Sequence, residues 1–398
     1  MRIRFFSYFY PPCIGGGEVI LQHQAEELAR RGHEVHVHTT PFRNIQCTEQ
    51  GPTGSTEEGG VFVHRSSSFL LPFHNPLEKD AVTPHFLVDV AKPADLIVAV
   101  GYPSLHLDWI LARRRLRPVP VVAQNYITAE FLQEILGGAG GMNKKIRALF
   151  WKAKMRRQLA RPELLLADSP GAAAALRQEL GLKNVRTHIG MAVDPAEFDA
   201  VTPQQMAEAR RQIGLNEASF ILAPSRISRQ KGADLLIEAI APEPGLRLAV
   251  VGPVNEPDYY AGLQALAKPL GNRVVFGQLP RPLFVALIKA ASVVVLPSRG
   301  ETVGGVVFEG MYAGVPVVVS DAVEAAAQDY LRGDVGILFP SENVEALRRA
   351  LKEALCSPPE RIAAARRLVQ EHYTWKSSVD RLEKLFAEAQ EGFAAAAR

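Results

Sequence analysis

The feature that most limits the fold is a rhythm. A short apolar run is followed by a turn and then by a helix-spaced stretch, and the pattern recurs along the chain. IRFFSYF reads as a strand, PPCIGGG as a turn and EVILQHQAEELARRG as a helix, with Leu21, Ala25, Leu28 and Ala29 at helical spacing and Gly32 as its stop. HEVHVHT then reads as a second strand. ADLIVAV, VPVVAQN and LLLADS follow as short apolar strands of the buried parallel type. Around THIGMAVDPAEFDA the texture turns polar, and the rhythm then restarts with FILAPSR, a helix at 233–240, LRLAVVG, RVVFGQ and SVVVLPS. Two successive sets of alternating strands and helices predict an α/β chain with two Rossmann-like, doubly wound domains. The predicted boundaries are 1–195, 196–375 and a terminal helix at 376–398 that returns to the first domain. Between 42 and 83 the chain reads as irregular, and TEQGPTGSTEEGG within it reads as a surface loop.

Ligands of such sheets bind beyond the strand carboxyl ends, so two facing domains place the expected site in the cleft between them. Composition excludes several alternatives. A net charge of +3 over 398 residues gives no field for nucleic acid. Three scattered cysteines, Cys13, Cys47 and Cys356, fit a reducing compartment and no structural zinc site. No apolar run is long enough to span a bilayer, and MRIRFFSYFYPP reads as a first strand rather than a signal peptide. The expected location is cytoplasmic.

Three stretches carry candidate chemistry. SVVVLP is a strand and SRGETVGG its carboxyl-end loop, with a helix expected from Gly304–Gly305 through Glu309 to about Ala313. Free amides at that helix start favour an anion, and glycines let a phosphate approach the backbone. Glu301 and Glu309 can each accept hydrogen bonds from two sugar hydroxyls. The competing reading makes Glu301 a helix cap and Glu309 a solvated surface acid. PSRISRQKGADLLIEAI puts Arg226 and Lys231, with Arg229 as a third cation, where a diphosphate could be gripped. A solvated basic loop is the plain alternative. PPCIGGGEV is neither a dinucleotide nor a Walker loop, and no acid follows the second strand to hold an adenosine ribose. Gly15 and Gly16 fit a wall that lets a phosphate pass, or a plain tight turn.

Together these residues resemble the retaining, GT-B-fold glycosyltransferases of family 4, over nearly the whole chain and in order. The resemblance rests on Gly15, Gly16 and Glu18 followed by LARRGHEV, on Arg226, Lys231 and Gly232, on Glu301 and Glu309 followed by AGVPVV, and on the terminal YTWKSSVDRL. It implies transfer of a sugar from a UDP- or GDP-type nucleotide sugar to a saccharide or lipid-linked hydroxyl acceptor, in surface polysaccharide or glycolipid assembly. It further implies that Arg226 and Lys231 bind the donor diphosphate, that Glu309 binds the ribose and that Glu301 binds the donor sugar. Amides of Val303, Gly304 and Gly305 would support sugar and phosphates, Gly16 would meet the β-phosphate across the cleft, and the base would rest at Gln278 and Leu279. The chain has no DxD triplet, which suits a family that needs no metal or other cofactor.

The chain departs from the family where Gln124–Asn125 replaces the usual histidine, where AVEAAAQDY follows Asp321, and where Met191–Asp194 replaces the usual linker. Asn125 keeps the capacity to hydrogen-bond a sugar hydroxyl, and His106 reads as a helix-surface residue. A nucleotide-sugar epimerase of the same architecture and a non-catalytic nucleotide-sugar-binding homologue remain open. Finally, NKKIRALFWKAKMRRQLAR, at 143–161, carries eight Lys or Arg and no acid, with Phe150, Trp151, Met155 and Leu159 as an apolar stripe. It suits peripheral contact with the inner face of an anionic membrane, or a core-packed helix with a solvated basic face.

Overall fold

A computed structural model describes residues 1–13, 15–44, 47–71, 80–101, 104–114, 118–125, 129, 132–133, 142–215, 219–331 and 333–396. The chain divides into two compact units, Met1–Met191 with Trp375–Arg398, and Ala192–Thr374.

The first unit is built on strands β1 (Arg2–Phe6), β2 (Glu34–Thr39), β3 (Gly54–Glu58), β4 (Val61–Arg65), β5 (Phe69–Leu71), β6 (Asp80–Val82), β7 (Leu96–Val100), β8 (Val121–Asn125), β9 (Leu164–Ala167) and β10 (Val185–Thr187). Eight of them form one sheet in the order β10-β9-β8-β7-β1-β2-β4-β3. Its pairs are parallel except β3 with β4. β7 and β9 are apolar on both faces because helices cover both sides, whereas the second face of β1 and β2 carries the buried pair Arg4 and His38, 3.0 Å apart. One face packs Ile3, Phe5, Val35 and Val98 against Leu21, Ala25 and Leu28 of the helix Gly16–Arg30, and against Val379, Leu382 and Phe386 of the last helix, Trp375–Ala396. Each such fully buried Val, Leu, Ile or Phe side chain contributes about 1.5–3 kcal/mol relative to exposure.

Three sequence expectations are corrected in this unit. The stretch read as a loop, TEQGPTGSTEEGG, contains β3 and leads through Gly59–Gly60 into β4 as an antiparallel hairpin. Both glycines have positive φ, 58° and 79°, which is what a two-residue turn matched to strand twist requires. Val61 and Val63 are fully buried while Phe62 between them is 39% exposed, so the strand alternates as a half-buried strand should. His106 is not a surface residue. It lies on the helix Leu105–Arg113, 1% exposed, with its ring edge-on to Tyr8 at 4.6 Å, and burial pushes its pKa down to about 3. The basic helix, Met142–Leu159, splits its apolar stripe. Met155 and Leu159 enter the core beside Ala148, whereas Phe150 faces outward with Ile146 and Leu149.

The second unit holds β11 (Ile221–Ala223), β12 (Leu248–Val251), β13 (Val274–Gly277), β14 (Val293–Leu296), β15 (Val317–Ser320) and β16 (Ile337–Phe339). All six strands pair in parallel, in the order β13-β12-β11-β14-β15-β16. The chain therefore winds outward from β11 to β13, returns, and winds outward the other way from β14. The loops leaving β11 and β14 diverge at that reversal and open the crevice in which doubly wound sheets bind ligands.

Candidate functional site

The loop from β11 carries three cations, and the loop from β14 carries one acid, Glu301, beside Arg299, which is paired with Asp234 and Glu342. The loop from β11 passes Arg226 and a short helical turn, Arg229–Lys231, before the helix Ala233–Ile240. The loop from β14 runs through Ser298 and Glu301 to the helix Gly305–Ala313. Lys231, 8% exposed, donates from Nζ to Glu301 Oε2. Ser298 Oγ donates to the same oxygen at 3.1 Å. Gly232 sits between the loops with φ +66°, and a Cβ there would lie 2.2 Å from the Pro297 carbonyl oxygen. Only glycine allows the loops to approach closely enough for Lys231 to reach Glu301. Arg226 is exposed and makes no side-chain hydrogen bond or ion pair among the described residues. Arg229 is engaged elsewhere, its guanidinium 5.3 Å over the Tyr259 ring.

Glu309 is not the solvated surface acid of the competing reading. Its side chain is 14% exposed, and its Oε1 lies 2.7 Å from Arg281 Nη1. Its Oε2 is buried and has no hydrogen-bond partner among the described residues. Burial pushes the Glu309 carboxyl up, and the Arg281 guanidinium opposes that shift. Arg281 is gripped in turn by Glu197, at 2.5 Å. Sequence reasoning missed Arg281. Its signal was its place at the start of the helix Arg281–Ala290, directly after Gln278, Leu279 and Pro280 at the carboxyl edge of β13.

The departing segment after Asp321 is the other half of the Glu301 loop. The Glu301 amide donates to the Ala322 carbonyl at 3.2 Å. The Glu324 and Ala325 amides donate to the Glu301 and Thr302 carbonyls, each at 2.9 Å. Ala326–Tyr330 then forms a π-helical turn, and the Tyr330 hydroxyl donates to the carbonyl of Val303. Such turns recur at functional sites. Gly304 precedes the helix at φ +74°, and a Cβ would meet Leu296 Cδ2 at 2.5 Å, so the fold alone dictates that glycine.

The remaining candidates lie in the first unit. Gly15 is extended, at φ −168°, and caps the helix Gly16–Arg30, with the Glu18 carboxylate folded against it. A Cβ on Gly16 would meet only Met191 Cε at 3.8 Å, so packing within this unit does not require glycine there. Asn125 ends β8, and its side chain lies outside the described residues.

The family descriptions match both halves of the chain. "Glycosyltransferase Family 4" matches residues 14–196 and "Glycosyl transferases group 1" matches 205–375. A D-inositol 3-phosphate glycosyltransferase of Geodermatophilus obscurus is 31% identical over 96% of this chain and 87% of its own. The chain belongs to glycosyltransferase family 4. Among solved structures, this family 4 member resembles a sucrose-phosphate synthase from Thermosynechococcus elongatus, at TM-score 0.75 and 21% identity over 99% of both chains. It also resembles Anabaena HepE in complex with UDP, at TM-score 0.73 and 21% identity over 97% of this chain and 100% of HepE. These likenesses place the fold among the GT-B glycosyltransferases, and the chain is a glycosyltransferase.

Proposed function

We propose that this enzyme moves a sugar from a nucleoside-diphosphate sugar to an acceptor hydroxyl, with retention of anomeric configuration and without a bound metal. The observation that carries the reading is the Lys231–Glu301–Ser298 cluster at the reversal of the second sheet, with the uncommitted Arg226 on the same loop as Lys231. As the bond to the diphosphate breaks, negative charge grows on its oxygens. Lys231 and Arg226 stabilise that charge, and stabilising charge that appears only in the transition state accelerates the step. Glu301 then holds donor-sugar hydroxyls, while Glu309 Oε2, bare and buried, accepts from the ribose. Amides of Val303, Gly304 and Gly305 support the sugar and phosphates, and Gln278 and Leu279 flank the base. Gly16 gives a phosphate room to approach, which accounts for a glycine that neither crowding nor positive φ demands. Asn125 hydrogen-bonds the donor sugar. HepE has been solved with UDP-glucose and the relatives are named D-inositol 3-phosphate glycosyltransferases, so a UDP-sugar and a phosphorylated cyclitol are the first substrates to try.

A thermal-shift and calorimetric screen of UDP-, GDP- and ADP-sugars tests this reading. One nucleotide class is expected to raise the melting temperature and to release its nucleotide when acceptor is added. Donor isomerised without nucleotide release would replace transfer with epimerisation, and saturable binding without turnover would leave a binding protein.

A lipid-linked glycan acceptor is a second reading, favoured by the outward face of the helix Met142–Leu159. Ile146, Leu149 and Phe150 are 60%, 69% and 62% exposed there. Lys145, Arg156 and Arg157 are exposed on the same helix. Among the described residues no helix is long and apolar enough to cross a membrane, so contact would be at the surface. Each cation near an anionic bilayer contributes about 1 kcal/mol. The enzyme should sediment with anionic vesicles at low salt and leave them at high salt, and Leu149→Ser with Phe150→Ser should abolish the binding. An enzyme that stays in the supernatant at low salt has no such surface.

A further inference from the structure

We infer that Arg299 is a positioning residue for the proposed chemistry: it clips together the loops that leave β11 and β14, and so holds Lys231 on Glu301. The inference deepens the glycosyl-transfer reading above and rests on it for the effect on rate. Arg299 stands two residues before Glu301, on the same loop, and lies with all its partners inside the second unit.

Three loops at the carboxyl edge of the second sheet meet at this one guanidinium. From the β11 side, the Arg229 carbonyl accepts from Nη1 at 2.7 Å. Asp234 accepts as a fork, Oδ1 from Nη1 at 2.9 Å and Oδ2 from Nη2 at 2.8 Å. Glu342, in the turn after β16, accepts from Nε and, at 3.4 Å, from Nη2. A guanidinium carries five N–H groups, and these contacts use all of them. Arg299 therefore has no donor left for a substrate and acts through its partners. Those partners are held in turn. Asp234 lies in the first turn of the helix Ala233–Ile240, where an acid is favoured, and Tyr259 donates its hydroxyl to Asp234 Oδ1 at 2.5 Å. Glu342 has φ +60°, which is uncommon for a residue with a side chain, and its carboxylate lies on Arg299.

The clip sits directly before the charged pair on both loops. The Arg299 amide donates to the Gln230 carbonyl at 2.8 Å, and Gln230 Nε2 donates to the Gly300 carbonyl at 2.7 Å. Residues 229 and 230 are thus tied to 299 and 300, and the next residue on each loop is Lys231 or Glu301. Lys231 has a flexible four-carbon stem, so its ammonium is only as well placed as the loops that carry it. With the loops tied, Nζ is held on Glu301 before charge develops on a diphosphate, and no reorganisation is needed at the moment of reaction. Lysine at position 299 would keep the charge and lose the fork, so it could not serve three loops at once.

Two measurements on the full chain test this, with melting curves to set a temperature at which every variant is folded. The first needs no donor. Trace acetylation with acetic anhydride, read by mass spectrometry of the peptide that carries Lys231, reports how firmly its ammonium is held. Arg299→Lys is expected to speed acetylation of Lys231 by about fivefold or more. Lys289, which donates to the Phe198 carbonyl in the same unit, should keep its wild-type rate. The second measurement is nucleotide release with the donor found in the screen. Arg299→Lys is expected to lower kcat by about tenfold and to leave the donor KM within about threefold of wild type. In a Lys231→Ala background the same change should cost less than about twofold in kcat, because the group it positions is already gone. A side chain that only stabilises the second unit would lower kcat equally in both backgrounds and would speed both lysines alike, and either result overturns the proposal. Wild-type acetylation of Lys231 in Arg299→Lys also overturns it. If no donor supports nucleotide release by the wild type, the transfer reading falls, while the acetylation rates still decide whether Arg299 holds Lys231. If the wild type transfers sugar and Arg299→Lys does so with the same kcat, the transfer reading stands and this inference falls.

Discussion

Lys231→Ala lowers kcat/KM for sugar transfer by about 10²–10³, the loss expected when one preorganised charge is removed from a developing anion. The fold survives this change. Glu301, whose side chain is 22% exposed, keeps its hydrogen bond from Ser298 and its contact with solvent. The reverse truncation behaves differently. Glu301→Ala leaves the Lys231 ammonium only 8% exposed and without its counter-charge, so it costs stability as well as rate. Leaving a buried charge unpaired costs about 3 kcal/mol or more. The two variants should therefore have similar transfer defects and unlike denaturation midpoints. Because the residues act as one unit, the double variant should be little slower than the worse single one. Nucleotide-release kinetics and urea titrations of the three variants check this. Wild-type rates in both single variants would remove the cluster from the catalytic centre.

Arg281→Ala raises the KM for the donor by about tenfold and destabilises the second unit by roughly 2 kcal/mol, below the range for a fully buried pair because Arg281 is 44% exposed. On the proposed donor reading Arg281 is a positioning residue: it holds Glu309 through Oε1 and leaves Oε2, which has no partner among the described residues, to the ribose. The pH dependence separates this role from simple packing. Burial already raises the Glu309 carboxyl above its unfolded value, so its ionisation takes stability away as pH rises through the folded pKa. Removing Arg281 raises that pKa further. The stability deficit of Arg281→Ala is thus largest at neutral pH and shrinks as the solution is acidified. Its donor affinity fails at a higher pH than that of the wild type. Melting temperatures and donor titrations across the acid range read both effects. A deficit independent of pH would mean that Arg281 only packs.

The sheets could be read from the sequence because parallel strands covered on both faces must be short apolar runs, as in SVVVLP and VPVVV. The hairpin β3–β4 escaped because GSTEE is polar throughout, and only Gly59–Gly60 announced it. At the site, the acids and cations could be found by their position after strands. Their pairing could not. Lys231 meets Glu301 from 70 residues away, across the reversal of the sheet, and no local spacing encodes such a contact. The Arg281–Glu309 pair joins one helix to another, and its existence decides that Glu309 is a buried, half-satisfied carboxylate rather than a solvated acid. His106 was misplaced for a related reason. A neutral imidazole can serve as core filling against Tyr8, and residue type alone does not reveal which face of its helix meets the sheet.

The first unit is interrupted in the chain by the whole of the second. Its sheet comes from the first 191 residues, yet one wall of its core, with Val379, Leu382 and Phe386, is supplied by the last helix. On the ribosome the order of completion is therefore inverted. The later-made unit, Ala192–Thr374, has all its strands before the earlier one can close. Until the final helix emerges, the face formed by Ile3, Phe5 and Val98 lacks part of its apolar cover, and exposed apolar surface of that kind recruits chaperones or aggregates. A nonsense mutation that removes only the last helix would release a polypeptide whose second unit is whole and whose first unit never seals.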